Sequence, residues 1–177
     1  PLFASGDIDL TDAFFRMYVD ALPLMRRVYR ERYGARLAPD AAAFHETIYF
    51  WGLPDNASFG WERDGVADGE VRNPYIRHYR SGSIELLVMA LERYDYTRDA
   101  AFFESTVIPL AKSVLGFYAT FFPRNAEGRL VIEPAASLET WHDATNPLPE
   151  IAGLRYVVSR LVDLDDAIVD APRREAW

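Results

Sequence analysis

Two stretches of this 177-residue chain gather the side chains that can do chemistry. The first, 40–72, holds Glu46, Asp55, Glu62, Asp64, Asp68 and Glu70 together with His45, Trp51 and Trp61. The second, 133–150, holds Glu133, Glu139, Asp143 and Glu150 with Trp141, His142 and Asn146. Aromatic faces beside carboxylates and amides suit a sugar. The apolar face of a pyranose stacks on an indole, and its hydroxyls bond to carboxylates and amides. Cleaving a glycosidic bond needs two carboxyl groups, one protonated to donate to the leaving oxygen and one acting on the opposite face. Composition alone selects no pair among these residues. On local grounds Glu139 is the best proton donor: Leu138 precedes it and Trp141 follows, an apolar setting that favours the protonated form.

Other chemistries find little support. There is no cysteine, hence no disulfide, thiol nucleophile or thiolate metal site. Three scattered histidines lack the paired spacing of a transition-metal site. The stretch DGVADGE (64–70) lacks the alternating ligands and closing Glu of a calcium loop. No Gly-rich phosphate loop or Ser nucleophile elbow occurs. The formal charge of -8, from 19 Lys+Arg against 27 Asp+Glu, weighs against nucleic acid or an anionic membrane as partner. With no run of about 18 apolar residues, nothing is expected to span a bilayer.

The elements that must position these residues are helical. Leu10, Phe14, Met17, Ala21, Leu24 and Val28 recur at steps of four and three, which predicts a helix over 10–33 that ends at Gly34, with Pro23 kinking or splitting it. A second helix is expected from Pro74 to Tyr94 along the stripe Ile84, Leu87, Val88 and Leu91. After the turn YDYTRD, Asp99 is a fitting N-cap for a third helix over 100–122. Two long helices joined so closely form an αα-hairpin. A fourth helix is expected from Pro147 to Asp166. HETIYFW (45–51) and LVIEP (130–134) read as short extended pieces. Residues 1–177 read as a single domain, all-α, with long loops before the second and fourth helices.

Three segments resemble a known family. HETIYFWG (45–52) resembles a His-x-Thr-x-x-x-Trp-Gly segment, through His45, Thr47, Trp51 and Gly52. YDYTRDAAFF (94–103) resembles the hairpin turn Tyr-x-Tyr-Thr-Gly-Asp-x-x-Phe, with Arg98 in place of the glycine. SLETWHDATNPLPEIAGL (137–154) resembles Ser-Pro-Glu-Asn followed by Gly-Pro-Thr-Met-Asp, with Leu138 and Thr140 replacing the residues beside the acid. These segments, in this order and spacing, occur in the six-hairpin (α/α)6 barrel glycosidases, and the chain is most similar to glycoside hydrolase family 95 and its relatives. The resemblance implies helical hairpins forming part of an (α/α)6 barrel, completed by the rest of the ring in a longer chain, because twelve such helices need roughly 350–450 residues. It implies inverting hydrolysis with Glu139 as general acid and an aspartate base outside these residues, a saccharide substrate, no cofactor, and a secreted or periplasmic protein. Fucose specificity is not carried over.

His45, Trp51, Trp61, Trp141, Asn146 and Glu150 are the expected substrate-binding residues. Each has a plainer alternative. Asn146-Pro147-x-Pro149-Glu150 is also a helix start, with an N-cap, an early proline and an acid in the first turn. The tryptophans also serve to fill junctions between loops and helices. Two other classes of function compete with hydrolysis: a carbohydrate-binding or scaffold domain without chemistry, and a helical interaction domain whose loops are protein contacts.

Overall fold

The computed structural model describes residues 2–54, 64–138, 140–165 and 168–175. Trp61 and Glu139 lie outside the described residues. Four long helices carry the fold: α1 (Ile8–Tyr33), α2 (Ser81–Thr97), α3 (Ala100–Phe121) and α4 (Leu148–Val162). Short helices occupy Leu2–Ser5 and Ala171–Glu175. Among the described residues there are isolated β-bridges and no strands, so the pieces expected to be extended at 45–51 and 130–134 form only the bridges Ile48–Pro54 and Arg124–Leu130.

The helices form two layers. In the first, α1 and α3 run parallel: Phe15 meets Phe102, Tyr29 meets Phe117, and Tyr33 meets Phe121, all with ring centroids 5.0–5.4 Å apart. In the second, α2 and α4 run parallel, with Ile84 against Gly153 near their starts and Asp95 bonded to Arg160 near their ends. The two layers are antiparallel to each other, as the α2–α3 hairpin requires; Tyr94 meets Phe103 at one end, and Arg80 lies over Phe117 at the other. Between the layers lies an almost solvent-free core that includes Met25, Leu87, Leu110, Val114, Phe117 and Leu161. α3 is long and apolar enough to cross a membrane by length and composition, but here it is the core helix pressed against α1 and α2.

Several expectations need adjusting. Pro23 stays inside an unbroken α1. The second helix begins at Ser81 and not at Pro74. The Asn73 side chain accepts from the Tyr75 N–H and its carbonyl from Arg77, making one isolated turn. The His78 carbonyl, which a continuous helix would give to residue 82, accepts instead from Ala136 N–H at 3.1 Å. That single bond ties the first loop to the second. α3 contains a π-helical turn at Phe103–Val107, directly before Pro109. Proline has no N–H to give to the carbonyl four residues back, and the wider turn accommodates the missing bond. The fourth helix stops at Val162, short of Asp166.

The hairpin turn is locked by Arg93. Its guanidinium donates to both oxygens of Asp12 at 2.9 and 2.8 Å, to Thr97 Oγ1 at 2.7 Å, and lies 4.0 Å from the Phe102 ring centre. Asp99 caps α3 through Phe102 N–H as expected. Arg98, standing where the family pattern has glycine, is left-handed (φ 51) and donates its N–H to Tyr94 O at 2.7 Å. A side chain in that conformation costs roughly 1–2 kcal/mol. Arg98→Gly should therefore stabilise the protein, by less than that amount because glycine also loosens the unfolded chain. Chemical denaturation checks it, and an unchanged or lower midpoint would contradict it.

Candidate active site

Because α2 and α4 are parallel, the loops that precede them emerge at the same end of the layer. Both clusters of candidate residues are in those loops.

In the first loop the Trp51-Gly52 pair makes a tight turn. Gly52 N–H donates to Tyr49 O at 2.8 Å, and Tyr49 N–H to Leu53 O at 2.9 Å. Gly52 has φ 103, and a Cβ there would lie 2.7 Å from the Cβ of Ala21 on α1. The glycine thus lets the turn sit on the helix and present its aromatics. Trp51 stacks on Tyr49 with centroids 4.4 Å apart and 17° between planes, and Phe50 meets Trp51 edge-on. Phe50 and Trp51 are both exposed, so this is an open aromatic face.

His45 lies deeper, its ring stacked on Tyr29 at 6.1 Å. Burial is the main reason its pKa falls to about 3, helped by the charges of Arg80 and Arg32 and opposed by the Gly69 carbonyl. Gly69 (φ 72) is pressed so closely on α1 that a Cβ would meet Val28 Cγ1 at 2.2 Å. His45 is therefore neutral at any physiological pH. It lines a cleft of about 270 Å3 with Glu46, Tyr79, Gly82, Glu85 and Tyr18 among the walls. Tyr79 and Glu85 are cleft residues that the sequence reading did not pick out.

In the second loop, residues 135–144 form a small hairpin. Ala135 and Ala144 exchange N–H···O bonds, and Trp141 N–H donates to Leu138 O at 3.0 Å. Leu138 and Trp141 are both exposed. His142 packs edge-on to Tyr75 at 5.2 Å, a second contact between the loops.

Asn146 and Glu150 take inward jobs. Asn146 (φ 52) accepts the Ile132 N–H on its Oδ1 at 2.8 Å. Pro147 holds the N-cap position of α4, so the sequence's cap assignment moves by one residue. Glu150 is 1% exposed, and neither carboxyl oxygen has a hydrogen-bond partner among the described residues. Burial raises its pKa to about 7; its own N–H and the Arg80 charge act against that rise, and Glu85 adds to it. The pKa of His78 is lowered to about 4, mainly by burial and next by Arg80. Among the described residues no group of His, Asp and Glu could hold a metal ion.

Residues 9–171 match the glycosyl hydrolase family 95 catalytic domain, and the chain belongs to that family. No curated protein and no solved structure matches it. The parallel helix pairs are part of that family's (α/α)6 barrel, and the family's substrates are saccharides.

These shifts set the pH dependence of stability. His45 and His78 have folded values below their unfolded 6.5, so they contribute stability that is lost as pH falls below about 6.5. Glu150 has a folded value above its unfolded 4.5, so it costs stability as pH rises from about 4.5 to 7. Over that interval the two histidines outweigh the one carboxyl, and the sum of the three peaks near pH 7. Glu150→Gln should remove the carboxyl's share, so its stability relative to the parent should rise between pH 4.5 and 7. Denaturation curves across pH check this, and a pH-independent difference would contradict it.

Proposed function

We propose that this chain contributes the acid-bearing side of an inverting glycosidase active site. Glu139 donates a proton to the leaving glycosidic oxygen. An aspartate outside these residues activates the water that attacks the opposite face. The two carboxyls then stand ~6.5–9.5 Å apart, leaving room for that water. His45, Trp51, Trp61 and Trp141 contact the sugar: His45 as a neutral hydrogen-bonding group in the cleft, the tryptophans as stacking faces. Asn146 and Glu150 shape the cavity from behind, one by fixing the backbone at Ile132 and the other from the buried start of α4. The chemistry needs no cofactor.

The observation that carries this reading is the shared end of the two loops, joined by Ala136 N–H to His78 O and by the Tyr75–His142 contact. The membership of family 95 supports the same reading.

In the whole protein, Glu139→Gln should lower kcat on an oligosaccharide by about 10²–10⁴-fold, the usual worth of a general acid. It should spare the glycosyl fluoride of the same sugar, whose leaving group needs no proton. Equal loss on both substrates would remove Glu139 from the acid role. No loss on either would favour a binding domain without chemistry.

A further inference from the structure

The most unusual side chain in the molecule is Arg80, which belongs to neither candidate loop cluster. It is 5% exposed, at the N-cap position of α2. Its guanidinium lies over Phe121 at 5.1 Å and Phe117 at 5.8 Å from their ring centres. Nε and Nη1 have no hydrogen-bond partner among the described residues. A buried cation is costly unless several groups answer it, and single aromatic contacts repay only part of that. Around it stand Tyr29 from α1, His45 from the first loop, Tyr118 from α3 and Glu150 from α4, all within reach of its charge. Tyr29 is buried against Phe117 and stacks on His45. Tyr118 is 1% exposed, and among the described residues neither its hydroxyl nor the two Glu150 carboxyl oxygens have a hydrogen-bond partner. Two residues before Arg80, the His78 carbonyl holds the second loop through Ala136.

We infer that Arg80 is a positioning residue for the active site, whose buried guanidinium, seated on Phe117 and Phe121, fixes the His45 ring of the first loop through Phe117 and Tyr29, two residues along the chain from the His78 carbonyl that holds the second loop. It touches no substrate. Its planar, permanently charged fork lies against two aromatic rings, a seat that an ammonium fills poorly. The charge acts on His45 together with Arg32 and against the Gly69 carbonyl, on Glu150 against Glu85, and on His78 together with Arg77 and against Asp143. The consequence for function is that the His45 ring, neutral mainly because it is buried, is kept in place by a group behind it. This extends the reading of His45 as a sugar contact and rests on it.

The test uses the whole protein with Arg80→Met, Arg80→Lys, His45→Gln and the double variants, assayed by reducing-sugar release from an oligosaccharide it cleaves. His45 is followed separately by NMR titration of its imidazole without substrate. Arg80→Met should raise the titration midpoint of His45, because a charge that disfavours the imidazolium is gone. It should lower kcat/KM by about 10²-fold, the cost of displacing a contact by about an ångström. Arg80→Lys keeps the charge, should leave the midpoint near its parent value, and should recover only part of kcat/KM. Adding His45→Gln to either variant should cost much less than His45→Gln costs alone. A parent-like midpoint in Arg80→Met, or losses that multiply independently, would overturn the inference. Should Arg80→Met not fold, the Arg80→Lys cycle decides in the same way. If His45→Gln alone leaves KM and kcat unchanged, the sugar-contact reading of His45 fails, while the NMR shift still judges Arg80.

Discussion

The arrangement depends on how closely α2 and α4 approach. Gly153 makes it possible: a Cβ there would lie 2.6 Å from Ile84 Cγ2, too near for any side chain without movement of the facing helix. With that contact at one end and the Asp95–Arg160 pair at the other, the helices are parallel and in register. Two parallel helices, each preceded by a long loop, must deliver both loops to the same end. The α1–α3 layer behind them supplies the apolar wall, and Arg93 closes the opposite end by tying Asp12 to the α2–α3 turn. The site is thus a product of helix direction and of glycines at the contacts, with Gly52 and Gly69 seating the first loop on α1 in the same way.

The division of labour follows burial. At the surface, Trp51 and Trp141 present rings that water wets poorly and a sugar face can cover. Just below, His45 is neutral because a charged ring would lose its hydration without gaining a partner. Deeper still, Arg80, Tyr118 and Glu150 form a polar interior in which several groups lack direct partners, a condition that most buried polar atoms avoid. Such groups are retained at a cost to stability, and they stand where the two loops converge.

Much of the frame was legible in the sequence. The stripe of α3, the Asp99 cap and the hairpin turn followed from spacing and capping chemistry, because each is decided within a few residues. The stripe assigned to α1 was turned: Leu10 and Phe14 are exposed, and Phe15, Leu22, Met25 and Tyr29 face the core. The early start assigned to α2 failed for a nonlocal reason. Asn73-Pro74 does open a turn, but Ala136 takes the carbonyl that would have continued it. The π turn before Pro109 was invisible because the apolar period survives one wider turn. Arg80 carried no signal at all: an arginine before Ser-Gly reads as surface, and only the convergence of α1, α3 and α4 buries it. Asn146 and Glu150 were visible as a helix start, and which way they faced depended on the packing of α4.

The central claim is that the two loops close around one sugar with residue 139 donating the proton. It is tested most directly by a crystal structure of the whole protein with a slowly hydrolysed oligosaccharide bound. The account predicts the Glu139 carboxyl within hydrogen-bond distance of the glycosidic oxygen, in a concavity shared with His45 and Trp51, facing an aspartate ~6.5–9.5 Å away. A sugar bound elsewhere, with the Glu139 carboxyl in open solvent, would contradict it.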